Sequence, residues 1–272
     1  MNIATRCRHA LHRALAAYLP TARFDSQGYV IDLHDNLLPG VDLDALSPDF
    51  EAGAGRELEG KMRAPHSSSA LAVNMFGRWR RDPTNLRILD QTGFQSLKCE
   101  GQCPTGLGGT APHLDVLAVS RDAVVAIESK CVEYLQPKRA FFSSSYDKIA
   151  DARAGSAFFK LIPRLRANMN EFRSLDAAQL VKHYLGLTNS WPGMRLTMLY
   201  AYWEPRNASA FDVFIEHRKE IEKFGELVRA ETNFTFRAAC HRELWAEWEE
   251  ADTPEWLPDH VQALRQRYDV LI

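Results

Sequence analysis

The alternation of apolar and polar positions predicts helices and strands mixed along the chain. Residues 67–81 (SSSALAVNMFGRWRR) follow an apolar helical pattern, and the serines at their start can cap a helix. One strand is predicted around residues 94–99 (FQSLKC), and two more within residues 113–130. The remaining predicted elements are a mostly helical region at about 136–186, a strand at 195–205 ended by proline, and helices through 206–272.

Two segments rich in glycine, proline or aspartate are predicted to be loops, at residues 39–56 and 100–112. The first twenty residues contain three arginines and no acid, as a transit peptide would. An amphipathic helix that ends before Pro20 explains the same pattern, and we favour it. This order of elements predicts one α/β domain over residues 1–272, with helices covering a mixed sheet.

The segment HLDVLAVSRDAVVAIESK (residues 113–130) is predicted to be a β-hairpin that turns at Arg121-Asp122. This turn pairs residues whose numbers sum to 243, which places Asp115 opposite Glu128 and His113 opposite Lys130. Since side chains alternate along a strand, these four residues share one face at the open end of the hairpin. Both faces are apolar toward the turn, so we expect both to be covered.

Two carboxylates opposed across a ladder repel each other, and partial burial strengthens the repulsion. A divalent cation would compensate, because hard cations bind carboxylate oxygens. Asp115, Glu128 and Lys130 are therefore predicted to form a metal site with an adjacent ammonium. The alternative is an edge hairpin whose charged side chains form a salt-bridged surface.

Composition narrows the class of protein further. Hydrophobic residues make up 46% and charged residues 25% of the chain, as in ordinary globular proteins. No run of about 18 apolar residues occurs, so no membrane span is expected. Five scattered cysteines favour a reducing cytoplasm over a disulfide framework. Net charge is only −2, yet basic stretches at 61–87 and 138–173 could contact phosphates or form solvated helix faces.

The motif Pro112-His113-Leu114-Asp115, followed by Glu128-Ser129-Lys130, resembles that of the PD-(D/E)XK nuclease superfamily. Two residues separate the proline from the aspartate here. The resemblance implies a restriction-endonuclease-like three-layer core over residues 57–205. It also implies an N-terminal helix and loop extension at 1–56 and a helical C-terminal addition at 206–272.

The same resemblance implies a metal-dependent nuclease that hydrolyses phosphodiester bonds, with DNA as the expected substrate and RNA left open. Asp115 and Glu128 would bind Mg²⁺ or Mn²⁺ with the Ser129 carbonyl, and Lys130 would position or activate the attacking water. An additional acid near the first core helix would be Glu57 or its neighbour Glu59, of which we prefer Glu57. The expected nucleic-acid contacts are Lys61, Arg80, Lys148, Gln179 and Lys182.

Two other classes of protein remain open. One is a nuclease fold retained for nucleic-acid or protein binding without turnover. The other is a zinc-stabilised interaction protein built on Cys99 and Cys103, although reduced structural cysteines explain their irregular spacing better. A homodimer is a further expectation, because a lone site cuts one strand at a time.

Overall fold

The computed structural model describes residues 1–51, 58, 60–149, 155–250 and 254–272. Within these ranges five strands form one mixed sheet, and their spatial order follows the order of the chain. The first three strands pair antiparallel and the last three pair parallel. The strands are β1 (Ser96–Gln102), β2 (His113–Val119), β3 (Ala123–Lys130), β4 (Arg195–Tyr202) and β5 (Phe234–Cys240).

Helices cover both faces of the sheet, which confirms the predicted α/β class with a mixed sheet flanked by helices. The eight α-helices of the described ranges are α1 (Ile3–Tyr18), α2 (Leu43–Glu51), α3 (Ser68–Phe76), α4 (Ala157–Ala167), α5 (Ala177–Ser190), α6 (Asp212–Val228), α7 (His241–Glu249) and α8 (Leu257–Tyr268). Buried side chains of α1, α2, α3, α7 and α8 pack on one face of the sheet. Those of α4, α5 and most of α6 pack on the other face.

The predicted hairpin is confirmed as β2 and β3. Its ladder runs from Val119 opposite Val124 to Val116 opposite Ile127, in the register that the turn at Arg121-Asp122 requires. Ser120 closes the turn, because its amide donates to the Ala123 carbonyl at 2.9 Å. Apolar side chains from both faces of the hairpin enter the two cores, so it is covered on both sides.

Helix α3 also begins where its sequence predicts. The Ser67 hydroxyl accepts a hydrogen bond from the Ala70 amide at 3.2 Å, which satisfies one of the unpaired amides of the first turn. The helix continues as a short 3₁₀ turn over Gly77–Arg81. Among the described residues, no helix has both the length and the apolar character needed to cross a membrane.

Three predictions of local structure were wrong. Residues 39–56, expected to be a loop, contain α2. The burial of its Leu46 and Phe50 side chains stabilises a helix despite the turn-forming residues nearby. Strand β1 continues through residues 100–102, where a loop was predicted, because it pairs with β2 there. Residues 206–272, expected to be helical, contain β5, an edge strand that pairs with β4.

The N- and C-terminal additions are joined by a buried guanidinium. Arg267 of α8 is 1% exposed and donates to the Leu11 carbonyl at 3.0 Å, to Asn36 Oδ1 at 2.8 Å and to the Pro65 carbonyl at 2.9 Å. These bonds connect α8 to α1 and to the segment before α3. They support our proposal of one domain, although β5 shows that the sheet extends beyond residue 205.

Candidate active site

The charged residues of the hairpin meet at the end of the sheet where β2 begins and β3 ends. The backbone amide of Ser129 donates to Asp115 Oδ2 at 2.6 Å. Asp115 and Glu128 lie beyond the last pair of the β2–β3 ladder, so the expected direct pairing of these two residues is not made. The predicted pairing of His113 with Lys130 is not made either, because the β2–β3 ladder ends at Val116 and Ile127; His113 pairs only on its other side, with Gln102 of β1.

Lys130 lies between a carboxylate of its own strand and an amide of the helix above. Its ammonium donates to Glu128 Oε1 at 2.5 Å and to Gln179 Oε1 at 3.0 Å. The side chains of Lys130 and Glu128 are only 12% and 4% exposed. Gln179 is in the first turn of α5, where its own amide donates to the capping carboxylate of Asp176. The structure thus brings Gln179, a predicted contact residue, into the site through Lys130.

His183 is a member of the site that the sequence interpretation missed. It follows Gln179 by one helical turn on α5, and its Nε2 atom lies 2.9 Å from Glu128 Oε2. This approach is close but lies outside good hydrogen-bond alignment, since His183 Nε2 has no aligned hydrogen-bond partner. The i, i+4 spacing from Gln179 is the signal that could have identified it, because such residues share one helix face.

The electrostatics of the site follow from burial and from these contacts. Burial, together with repulsion from Glu128, raises the pKa of Asp115 well above its usual range. Burial acts in the same direction on Glu128, but the Lys130 ammonium and His183 outweigh it and lower the Glu128 pKa to about 2. Burial opposes the charged form of Lys130, yet Glu128 and Asp115 overcome it and raise the Lys130 pKa. Glu128 and Lys130 are therefore an ion pair, and Asp115 is the strained carboxyl group.

Glu100 adds a third acid on the β1 side. Its backbone has a φ of 49°, in the left-handed region that a non-glycine residue rarely adopts. Its carboxylate lies 3.6 Å from His113 Nδ1 and contributes to the raised pKa of Asp115. Glu100 was assigned to a loop in the sequence interpretation, which concealed its position beside Asp115.

The opposite face of the same strand is held by His241 at the start of α7. Ser129 Oγ lies 3.3 Å from His241 Nε2, and His241 is fully buried. Burial lowers the pKa of His241 to about 3, so this imidazole is neutral. The residue between Glu128 and Lys130 is thus bound on both sides, by Asp115 through its amide and by His241 through its hydroxyl.

The remaining predicted residues are not all brought to this end of the sheet. Glu57 and Glu59, and the side chain of Lys148, lie outside the described residues. Arg80 forms an ion pair with Asp49, a carboxylate that also accepts a hydrogen bond from the Cys99 amide at 3.0 Å. Lys182 lies on α5 with its ammonium 5.6 Å from the centre of the Phe142 ring. Lys61 is exposed on a short 3₁₀ helix.

The cysteines do not form the zinc site considered from the sequence. All five are buried free thiols. Cys99 belongs to the core on one face of the sheet and Cys103 to the core on the other face, so the two cannot bind one ion together. Nowhere in the described ranges do three histidine, cysteine, aspartate or glutamate side chains converge to enclose a metal ion.

A mixed sheet between helical layers, with two acids and a lysine at the end of its central hairpin, is consistent with a restriction-endonuclease-like protein. The protein-family model described as "Restriction Endonuclease associating with ARP" matches residues 27–269, so the chain belongs to this family. No curated protein and no solved structure matches the chain.

Proposed function

We propose that this protein is a metal-dependent nuclease of the PD-(D/E)XK type that hydrolyses phosphodiester bonds, with DNA as the substrate. The observation that carries the proposal is the buried 2.5 Å contact of Lys130 with Glu128, two residues before it, beside the Asp115 carboxylate. Membership of a restriction endonuclease family supports the reaction class. The five free thiols support a reducing compartment such as the cytoplasm.

The donor atoms fit Mg²⁺ or Mn²⁺ in kind. Asp115 and Glu128 supply carboxylate oxygens and Ser129 supplies a carbonyl, which are the ligands that hard cations prefer. The raised pKa of Asp115 also indicates a carboxyl group whose charge is not fully compensated by its neighbours. Mg²⁺ commonly uses one or two carboxylates together with substrate phosphate and water, so two protein carboxylates suffice. The bound ion would polarise the phosphodiester and lower the pKa of a bound water.

Lys130 acts beside these carboxylates as a fixed positive charge. Its raised pKa keeps the ammonium protonated at neutral pH. A charged ammonium positions the attacking water and stabilises the negative charge that develops on the phosphorus oxygens. Gln179 holds the ammonium in place from α5, and the His183 imidazole lies 2.9 Å from the second oxygen of Glu128. Both are positioning residues in this proposal.

One observation favours a second candidate, the nuclease fold used for binding without turnover. Both oxygens of Glu128 are already approached, by Lys130 and by His183, and Asp115 Oδ2 accepts the Ser129 amide. In the catalytic proposal a divalent ion must share these oxygens with their present partners. In the binding proposal the same contacts are purely structural.

A cleavage assay distinguishes the nuclease from the binding-only candidate. Its substrates are linear, circular and single-stranded DNA and RNA, each with Mg²⁺ or Mn²⁺. We expect metal-dependent cutting that Lys130→Ala and Glu128→Ala abolish and that Arg121→Ala, in the exposed hairpin turn, leaves intact. Equal cutting by all of these variants would contradict the proposed site. Binding of DNA without any cutting would favour the second candidate.

A further inference from the structure

A basic surface with an exposed aromatic ring lies beside the proposed active site. Two segments, residues 137–141 and 169–173, run side by side and are called here the platform. The Lys138 amide donates to the Arg173 carbonyl at 3.1 Å, and the Ala140 amide donates to the Met169 carbonyl at 3.0 Å. Five residues of the platform line a cavity of about 580 Å³: Pro137, Lys138, Arg139, Asn170 and Arg173.

The charge of this cavity favours an anionic ligand. Three of its five lining residues, Lys138, Arg139 and Arg173, are cations and none is an acid. All three are exposed. Two acids contact these residues: the Asp176 carboxylate is 3.4 Å from the Lys138 ammonium, and Glu220 accepts from the backbone amide of Arg173 at 2.8 Å. Lys138 also lines a second cavity of about 350 Å³ together with Arg8, Lys61 and one acid, Glu133, so an excess of cations continues past the platform.

Apolar exposure on the platform points to an unpaired base. Phe141 is 69% exposed and Met169 is 47% exposed, and they project from the paired segments that carry the cations. An aromatic ring that protrudes among cations can stack on a base whose phosphate is bound nearby. Bases inside a duplex are stacked on one another, so this contact requires a single strand.

The platform is anchored to α6 and linked to the active site by a chain of contacts. Glu220 of α6 accepts from the amides of Arg173, Ser174 and Leu175 at 2.8–2.9 Å, which holds the second segment in place. Lys138 contacts Asp176, Asp176 caps α5 by accepting from the Gln179 amide, and Gln179 accepts from Lys130. Three contacts thus separate the platform from the proposed catalytic lysine.

We propose that the platform binds a single strand of nucleic acid leading to the active site. Lys138, Arg139 and Arg173 hold its phosphates, and Phe141 stacks on one of its bases. The proposal rests on the nuclease function for the direction of the strand, while binding itself can be measured without turnover. It assigns substrate recognition to residues outside the Asp115-Glu128-Lys130 set.

The test is binding of a labelled oligo(dT) of about 16 nucleotides, measured by anisotropy in EDTA over a series of salt concentrations. Oligo(rU) of the same length and a DNA duplex serve as comparison ligands. The platform variant combines Lys138→Ala, Arg139→Ala and Arg173→Ala. A charge-matched control combines Lys98→Ala, Arg121→Ala and Arg229→Ala, which are exposed residues elsewhere on the chain.

We expect the slope of log K against log salt to fall by about 2 in the platform variant, since each lost phosphate contact contributes about 0.7 for single strands. The control variant should keep the slope of the wild type. Phe141→Ala should weaken oligo(dT) binding roughly 5- to 150-fold, Phe141→Trp should restore it, and Leu271→Ala should leave it unchanged.

Equal losses in the platform and control variants would overturn the proposal, as would wild-type binding that Phe141→Ala does not weaken. Failure of the wild type to bind either single strand would also overturn it. Lys130→Ala separates this proposal from the nuclease proposal. If the wild type cuts nothing but the platform effects are observed, only the nuclease function fails. If cutting depends on Lys130 but the platform variants bind like the wild type, only the platform fails.

Discussion

The Ser129 amide donates to Asp115 Oδ2 at 2.6 Å, beyond the last pair of the ladder between their strands. This bond fixes the position of Asp115 relative to the strand that carries Glu128 and Lys130. A main-chain donor cannot move away as a side chain can, so the two carboxylates remain close despite their repulsion. Such unrelieved repulsion between carboxylates is typical of sites where a positively charged ligand compensates the negative charge.

Asp115→Asn should therefore stabilise the metal-free protein while abolishing cleavage. The asparagine oxygen can still accept the Ser129 amide, and the buried charge is removed. Because the folded-state pKa of Asp115 is raised, the charge destabilises the native state above that pKa and the effect is relieved as pH falls through it. In EDTA at neutral pH, the melting temperature of Asp115→Asn should exceed that of the wild type by about 2–4 °C for each kcal/mol gained in the free energy of unfolding.

The gain should disappear at acidic pH, where wild-type Asp115 is protonated. Asp122→Asn, in the exposed hairpin turn, is the matched control and should show no such pH-dependent gain. A lower melting temperature for Asp115→Asn than for the wild type at neutral pH would mean that the carboxylate stabilises the fold.

Removing either partner of the Lys130–Glu128 pair should destabilise the protein. Lys130→Met leaves a 4% exposed carboxylate with only His183 beside it, and Glu128→Gln leaves a buried ammonium. Breaking a buried pair on one side typically costs about 3–5 kcal/mol. The double variant should lose less than the sum of the two single losses, because no unpaired charge remains. Urea unfolding of all four proteins measures this coupling, and strict additivity would show that the pair is energetically unimportant.

His183→Ala should lower the rate of cleavage without unfolding the protein. The imidazole lies 2.9 Å from the second oxygen of Glu128, and loss of a group that orients a metal ligand typically reduces metal affinity or activity by about 10- to 100-fold. Asn189→Ala, at an exposed position later on the same helix, is the matched control. We expect the apparent Mg²⁺ requirement to rise in His183→Ala alone. Equal effects of both substitutions would indicate a general disturbance of α5.

Buried neutral histidines should make the protein sensitive to acid. Burial, with a contribution from Arg218, lowers the pKa of His217 from 6.5 to about 3, and its Nε2 lies 3.0 Å from the Tyr200 hydroxyl. The folded-state pKa is depressed, so the unfolded chain binds more protons between pH 6.5 and about 3, and stability falls with pH in that window. Two pH units below 6.5 this group accounts for roughly 3 kcal/mol at most.

Urea unfolding across this pH range measures the effect. The slope of stability against pH should be reduced by about one proton in His217→Gln, while His34→Gln, at an exposed position, should leave it unchanged. An unchanged slope in His217→Gln would show that this histidine takes up its proton in the folded protein as readily as in the unfolded chain.

The hairpin and its charged residues were predictable because their causes are local. A two-residue turn defines the register, and alternation along a strand then places Asp115, Glu128 and Lys130 on one face. The capping serine of α3 was also predictable from short-range spacing.

The partners of those charges depend on elements far apart in the chain. Gln179 and His183 reach Lys130 and Glu128 only because α5 packs across the sheet. Glu100 lies beside Asp115 only because β1 extends through a segment with the composition of a loop. Arg80, which is expected from the sequence to contact nucleic acid, also forms an ion pair with Asp49 that only the fold creates.

The sequence by itself determined which residues could carry the chemistry and that three of them share one strand-pair face, since the turn and the two-residue period of a strand are local properties. Only the tertiary structure decided which of the three is charged, what each one contacts, and where the platform lies. These depend on burial and on packing between distant segments, which local spacing does not contain.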